Sequence, residues 1–288
     1  MTLVQRRQLH LISLALVAAA WWSLGPVATS LVVLAGAMVL HPVLSSHAED
    51  ERIQHELTRA CELQAAGQVE SLVGQTFEIQ GRTRACHELN GDFFDLVEHS
   101  GGVTILLGDV AGKGIPAALY QACCRTLLNA AVSGGESPEQ VLTGTNLRLH
   151  GRDYGGLFTT AVCAELDPRS GRLELSTAGH APPLLLRADR VYELLCPAAL
   201  PLGLSDEACY HEVEIHLQPG DRIIFYTDGL TEARNLGREF FGEERLAQAL
   251  RRCSRLSPGQ LAEQLLGEVE SFSPTRSDDL TVVVLAFG

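Results

Sequence analysis

The acidic positions of this chain that could do chemistry are Asp92, Asp109, Asp228 and the adjacent pair Asp278 and Asp279. Asp92 follows Gly91 and opens the run Phe93 to Glu98. Asp109 follows Gly108 and closes the apolar run Val103 to Leu107. The intervening His99-Ser-Gly-Gly102 reads as a hairpin turn, because glycine supplies the positive φ such turns need. With the turn centred on Ser100 and Gly101, Asp92 faces Asp109, with Cβ atoms roughly 5 Å apart. Like charges placed so destabilise a fold unless something neutralises them, and a divalent cation does so economically. Asp228 ends the run Arg222 to Thr227, and Asp278-Asp279 precedes Leu280 to Leu285. If those two strands pair antiparallel, these acids meet as well. Hard oxygen ligands on one rim suit Mg2+ or Mn2+ rather than zinc. Taken singly, each Asp-Gly pair reads more readily as a turn, as Asp167 and Asp221 do.

Elements that would hold these residues can be read along the chain. Phe77 to Arg82 is expected as a strand, followed by the aspartate hairpin. Ile115 to Val132 is a helix with Pro116 in its first turn, where the missing N–H costs nothing. Ser137 is the N-cap of a second helix running to about His150. Strands follow at Leu157 to Leu166, Arg172 to Thr177, Pro183 to Arg187, Val191 to Leu195, His211 to Leu217 and Arg222 to Tyr226. Gly242 to Arg252 and Ser257 to Phe272 are helical, and Leu280 to Phe287 is a last strand. Helix pairs after runs of antiparallel strands indicate α+β rather than a doubly wound sheet.

The N-terminal part differs in composition. No Asp, Glu, Lys or Arg occurs between Arg7 and Glu49. Two apolar blocks, Leu9 to Leu24 and Val27 to Leu44, approach the roughly 20 residues a bilayer span needs. A signal peptide accounts for the first block and not the second. The expectation is a membrane hairpin of two transmembrane helices over residues 1–46, with Arg6-Arg7 and the following domain in the cytoplasm and Trp21-Trp22 at the far interface. Residues 47–74 form a linker helix with a weak heptad-like stripe through Ile53, Leu57, Ala60 and Gln64. Either it is a plain connector, or it is a signalling helix that could pair two copies as a homodimer. Net charge of −13 and a pI near 5.2 argue against nucleic acid as a partner. The eight scattered cysteines include no C-x-x-C pair, which fits reduced thiols.

Two look-alikes fail. Gly108 to Gly114 has its first glycine one residue too near for a phosphate loop, and glycine stands where Ser or Thr should bind magnesium. Asn90-Gly-Asp-Phe-Phe94 is similar to the signature of diguanylate cyclases, but the second Gly-Asp unit and the later Asp-Asp strand have no place there.

Taken together the motifs resemble the metal-dependent (PPM-class) protein serine/threonine phosphatases, in their bacterial SpoIIE/RsbU-like branch. The matching pieces are Asn90-Gly-Asp-Phe-Phe-Asp95, Leu107-Gly-Asp-Val-Ala-Gly-Lys-Gly-Ile-Pro-Ala-Ala-Leu119, Thr177-Ala-Gly-His-Ala-Pro-Pro-Leu184, Leu200-Pro-Leu-Gly203, Pro219 to Ala233, Glu239-Phe-Phe-Gly242 and Asp278-Asp-Leu-Thr-Val-Val-Val284. The resemblance implies an α-β-β-α sandwich over residues 75–288, two antiparallel sheets flanked by helix pairs. It implies two Mn2+ or Mg2+ ions held by Asp92, Asp109, Asp228 and Asp278 with the backbone carbonyl of Val110, Asp279 being the lesser candidate of its pair. A metal-bridging water would attack phosphorus in line. Its substrate would be a phosphoserine or phosphothreonine protein, such as an anti-sigma-factor antagonist, acted on at the cytoplasmic membrane. The alternative is a non-catalytic signalling or binding module on the same fold. This chain departs from the pattern in three ways. Asn90 stands where the family usually has glycine. Ala111 replaces the histidine proposed as general acid in the eukaryotic branch. No clear counterpart exists for the phosphate-gripping arginine, for which Arg82 or Arg84 could serve. His180 is expected to be structural, and Lys113 either meets substrate or is solvated.

Overall fold

The computed structural model describes residues 55, 56, 58–60, 62, 64, 69–86, 89–152, 154–275 and 278–288. The chain divides into two units, Met1–Arg59 and Ala60–Gly288. The expected membrane hairpin over 1–46 lies outside the described residues. Among the described residues no helix is long and apolar enough to cross a membrane. Within the expected linker, residues 55, 56, 58–60, 62 and 64 are helical. The end of that segment differs from expectation. β1 (Ser71–Val73) is a strand, paired antiparallel with β2 (Phe77–Arg84). The chain turns back at Gly74, whose N–H donates to Phe77 O at 2.9 Å, and Leu72 then packs against the core between the sheets. Burial of that leucine decides strand over helix in a segment whose propensities alone favour helix.

The remaining strands are β3 (Asp92–His99), β4 (Gly102–Val110), β5 (Thr159–Asp167), β6 (Arg172–Ala178), β7 (Leu184–Arg187), β8 (Arg190–Glu193), β9 (Val213–His216), β10 (Arg222–Tyr226) and β11 (Leu280–Phe287). One sheet has the order β1-β2-β11-β10-β7-β8 and the other β3-β4-β5-β6-β9, with every pairing antiparallel. The helices are α1 (Ile115–Ser133), α2 (Pro138–His150), the single turn α3 (Gly229–Glu232), α4 (Gly242–Arg252) and α5 (Pro258–Phe272).

Strand periodicity explains the layering. Along β11, Val283 and Leu285 enter the core between the sheets, while Leu280, Val282 and Val284 pack against α4 and α5. β10 divides the same way, Ile223 and Phe225 inward and Ile224 and Tyr226 outward. On the other sheet Val103, Ile105 and Leu107 face inward, and Leu106 and Val110 meet α1 and α2. Strands covered on both faces read as continuous apolar runs, which is the pattern of these sequences. The outcome is the expected α+β sandwich of two antiparallel sheets with helices on both outer faces.

Local signals hold at the helix ends. Pro116 occupies the first turn of α1. Ser137 and Ser257 head α2 and α5, their N–H groups donating to Gln140 Oε1 and Gln260 Oε1 at 3.1 and 3.2 Å.

Candidate metal centre

The hairpin places its carboxylates in the expected register. Asp92 pairs with Asp109 and His99 with Gly102, so Ser100 and Gly101 form the turn. β10 and β11 are antiparallel, Tyr226 opposite Val282, so Asp228 leaves one strand where Asp278 and Asp279 enter the other. The two ends approach closely: a Cβ on Gly229 would lie 1.9 Å from the Asp279 carbonyl oxygen, so only glycine fits beside Asp228. The hairpin and the β10–β11 end converge at Gly91. A Cβ there would sit 3.5 Å from Val110 O, 3.7 Å from Asp279 Oδ2 and 3.9 Å from Asp109 Oδ1.

Electrostatics record the same convergence. Burial pushes Asp92 well above the usual carboxylate range, and Asp109 beside it adds to the shift. Asp109 is pushed up to about 7 by burial, then by Asp228 and Asp278. Asp228 is raised by burial, then by Glu232 and Asp278. These carboxylates share one field, and among the described residues the Lys113 ammonium lies 3.8 Å from Asp278 Oδ1. Among the described residues, no three His, Cys, Asp or Glu side chains are drawn close enough to make a ready ligand cage. The donor set is hard oxygen throughout and fits Mg2+ or Mn2+.

The raised carboxyls carry a signed consequence. A carboxyl whose folded pKa lies above its ordinary 3.8 adds stability below that value, and the contribution is lost as pH rises through about 7. A cation favours the ionised form and displaces that proton. We expect the apparent affinity for Mn2+ to fall about tenfold per pH unit below about pH 7, with proton release seen by calorimetry in buffers of different ionisation heat. An affinity flat between about pH 5.5 and 7 would contradict this assignment of Asp109.

Asp278 and Asp279 are not equivalent. Asp279 Oδ1 accepts the Cys86 N–H at 2.7 Å and Oδ2 the Gly91 N–H at 2.8 Å. Both oxygens thus tie the hairpin entrance to β11. The Asp278 side chain is half exposed; among the described residues it accepts the Asp279 N–H at 3.1 Å and lies 3.8 Å from the Lys113 ammonium. Arg82 pairs with Glu70 at 3.5 Å, and Arg84 with Glu263, so both expected stand-ins for a phosphate-gripping arginine are engaged elsewhere. His180 lies between the sheets. Its Nε2 donates to Tyr226 O at 3.1 Å and its Nδ1 accepts from Thr160 Oγ1 at 2.8 Å. Burial pushes its pKa down to about 4. A neutral ring with both nitrogens occupied is a strut between β5 and β10, as expected of a structural histidine.

Several residues here escaped sequence reasoning. Thr227 and Thr281 donate to Asp92 Oδ2 at 2.8 and 2.6 Å. A hydroxyl in the otherwise apolar run Leu280 to Leu285 was the available signal. Gln64, read only as part of a stripe, donates through Nε2 to Asn90 O at 2.7 Å and accepts the Asn90 N–H at 3.1 Å.

The family described as Stage II sporulation protein E (SpoIIE) matches residues 99–288. This chain belongs to the SpoIIE family. Among curated relatives, the phosphoserine phosphatase RsbU of Bacillus subtilis (strain 168) is 28% identical over 189 residues, 63% of this chain and 56% of that protein. The chain spans about half the length of the curated relatives it matches. Among solved structures, the SiaA-PP2C domain of Pseudomonas aeruginosa is similar in fold, with a TM-score of 0.72 at 24% identity, covering 84% of this chain and 99% of that one. The RsbU and RsbW domains of a Mycobacterium tuberculosis protein give a TM-score of 0.69 at 27% identity, over 77% of this chain and 63% of theirs.

Proposed function

We propose that this chain is a metal-dependent protein serine/threonine phosphatase, anchored in the cytoplasmic membrane, that hydrolyses a phosphorylated regulatory protein. The observation that carries the reading is the convergence of Asp92, Asp109, Asp228 and Asp278 on one end of the sandwich of a SpoIIE-family chain. These side chains, with the Val110 carbonyl, would hold two divalent cations. Bound there, the ions would neutralise an incoming phosphoryl group and activate a water for in-line attack. The protein's own part is positional. Asp279 fixes the hairpin entrance, His180 holds the sheets at their spacing, and Lys113 offers a positive charge at the exposed rim beside Asp278. Ala111 offers no proton for the leaving group.

The substrate class follows from the resemblance and from RsbU's name as a phosphoserine phosphatase: a phosphoserine or phosphothreonine protein such as an anti-sigma-factor antagonist. Two-pass anchoring follows from the uncharged apolar blocks between Arg7 and Glu49. Full-length protein supplied with Mn2+ should hydrolyse both an aryl phosphate and a phosphoserine peptide, and a chelator should stop both. Absence of Mn2+ binding at millimolar concentration would favour a non-catalytic binding module instead.

A further inference from the structure

Asp92 is 4% exposed, and its grip comes from the opposite sheet. Asp92 heads β3, whereas Thr227 follows β10 and Thr281 lies in β11. Both threonines are fully buried. Alternation along β11 turns Thr281 toward the layer between the sheets, where Val283 and Leu285 supply apolar core. An apolar side chain would suit that layer, so a hydroxyl there needs a partner. Its partner is Asp92 Oδ2, at 2.6 Å.

Counting protons orients the whole network. Each hydroxyl has one proton to donate. Thr281 gives its proton to Asp92, so at the 2.8 Å contact between Thr83 Oγ1 and Thr281 Oγ1 the donor is Thr83. Thr83 Oγ1 in turn accepts from Asn90 Nδ2 at 3.0 Å. The Asn90 amide orientation is fixed, because its Oδ1 accepts the Asp92 N–H at 3.0 Å and an N–H can only donate. Thr227 Oγ1 accepts the Thr281 N–H at 3.1 Å, which leaves its own proton for Asp92 Oδ2 at 2.8 Å. The chain therefore runs from Asn90 through Thr83 and Thr281 to Asp92, with Thr227 as a second arm. With Asp92 ionised, the two hydroxyl protons occupy both lone pairs of Oδ2, and Oδ1 accepts from neither threonine.

We propose that Thr281 and Thr227 are positioning residues that make Asp92 a one-oxygen metal ligand through Oδ1, and that Asn90 sets the direction of the hydroxyl chain feeding Thr281. Asn90 thus has a task that the usual glycine could not perform. The inference rests on the metal reading above. It is a statement about orientation: the carboxylate is held in its binding pose by three elements, β2, β10 and β11, that converge only at this end of the sandwich.

The test is Mn2+ binding to the full chain by calorimetry, with no substrate present. Thr281→Val keeps the shape and removes the hydroxyl; it should weaken Mn2+ binding roughly 10- to 100-fold. Thr281→Ser should restore affinity to within about threefold of the unaltered protein. Binding by Thr281→Val within about twofold of the unaltered protein would overturn the proposal, as would a serine variant as weak as the valine one. Should Thr281→Val fail to fold, Asn90→Gly at the partly exposed turn decides: a loss of about threefold or more supports the chain, and unchanged affinity overturns it. An unaltered protein that binds no Mn2+ would overturn the metal reading and this inference together, whereas unaltered binding with an indifferent Thr281→Val overturns this inference alone.

Discussion

Asp228→Asn should reduce Mn2+-dependent hydrolysis of an aryl phosphate about a thousandfold, equivalent to about 4 kcal/mol of transition-state stabilisation. Asparagine keeps the shape at the end of β10 and removes the charge. Gly229 and the Asp279 carbonyl, in contact across the strand ends, are left as they were. The same substitution should leave the metal-free fold at least as stable as before. Asp228 is raised by burial and by the Glu232 and Asp278 carboxylates, so above that raised pKa its ionised form is a cost to the folded state. Activity lost with stability kept or gained marks a side chain retained for its charge. Full activity in Asp228→Asn would sink the two-metal reading. A collapse of the melting temperature alongside the lost activity would instead assign Asp228 to the fold.

Arg125→Met should destabilise the domain by about 3 kcal/mol, which lowers Tm by roughly 6–12 °C in a domain of this size. Arg125 Nε and Nη2 grip Asp95 at 2.7 and 2.6 Å, and Asn129 Nδ2 adds a third donor at 2.6 Å. Asp95 is 6% exposed. Removing the guanidinium leaves a buried carboxylate with one neutral donor. The cost is therefore desolvation without compensation, more than the loss of a contact. Pairing Arg125→Met with Asp95→Leu should recover most of the stability, since two apolar groups replace a buried ion pair at little net cost. Thermal melts of the two single variants and the double variant would show it; a double variant no better than Arg125→Met would mean the pair matters for shape rather than charge. Arg125 Nη1 also donates to Gln64 O at 3.2 Å. The pair therefore joins α1, β3 and the segment before β1, all within reach of the hairpin that carries Asp92.

What could be read from the sequence was local. The hairpin register follows from one glycine-bearing turn, because a period-two element leaves no freedom once its turn is placed. Ser137 and Ser257 marked helix starts through backbone groups within one turn, and Pro116 did so because the first turn has no use for its missing N–H. The Leu280 to Leu285 run announced a strand, which the structure covers on both faces. β1 escaped because three residues of Ser-Leu-Val carry too little periodicity to compete with the helix-prone residues before them. Their pairing with β2 pays only when Leu72 reaches the inter-sheet core. Asp278 and Asp279 are neighbours of the same type, and nothing in their order separates a side chain open to the rim from one whose two oxygens are taken by Cys86 and Gly91.

By itself the sequence determined the facing pair Asp92 and Asp109, and placed Asp228 and Asp278 at strand ends that meet if those strands pair antiparallel, which the structure shows they do. The facing pair depends on residues near one another in the chain, and the strand ends on apolar runs whose bounds are plain. Only the tertiary structure decided how Asp92 is held. Its two hydroxyl donors lie more than a hundred residues downstream, on the other sheet. Hydroxyls at such positions become meaningful only when packing two apolar faces brings the sheets to hydrogen-bonding distance at that one end.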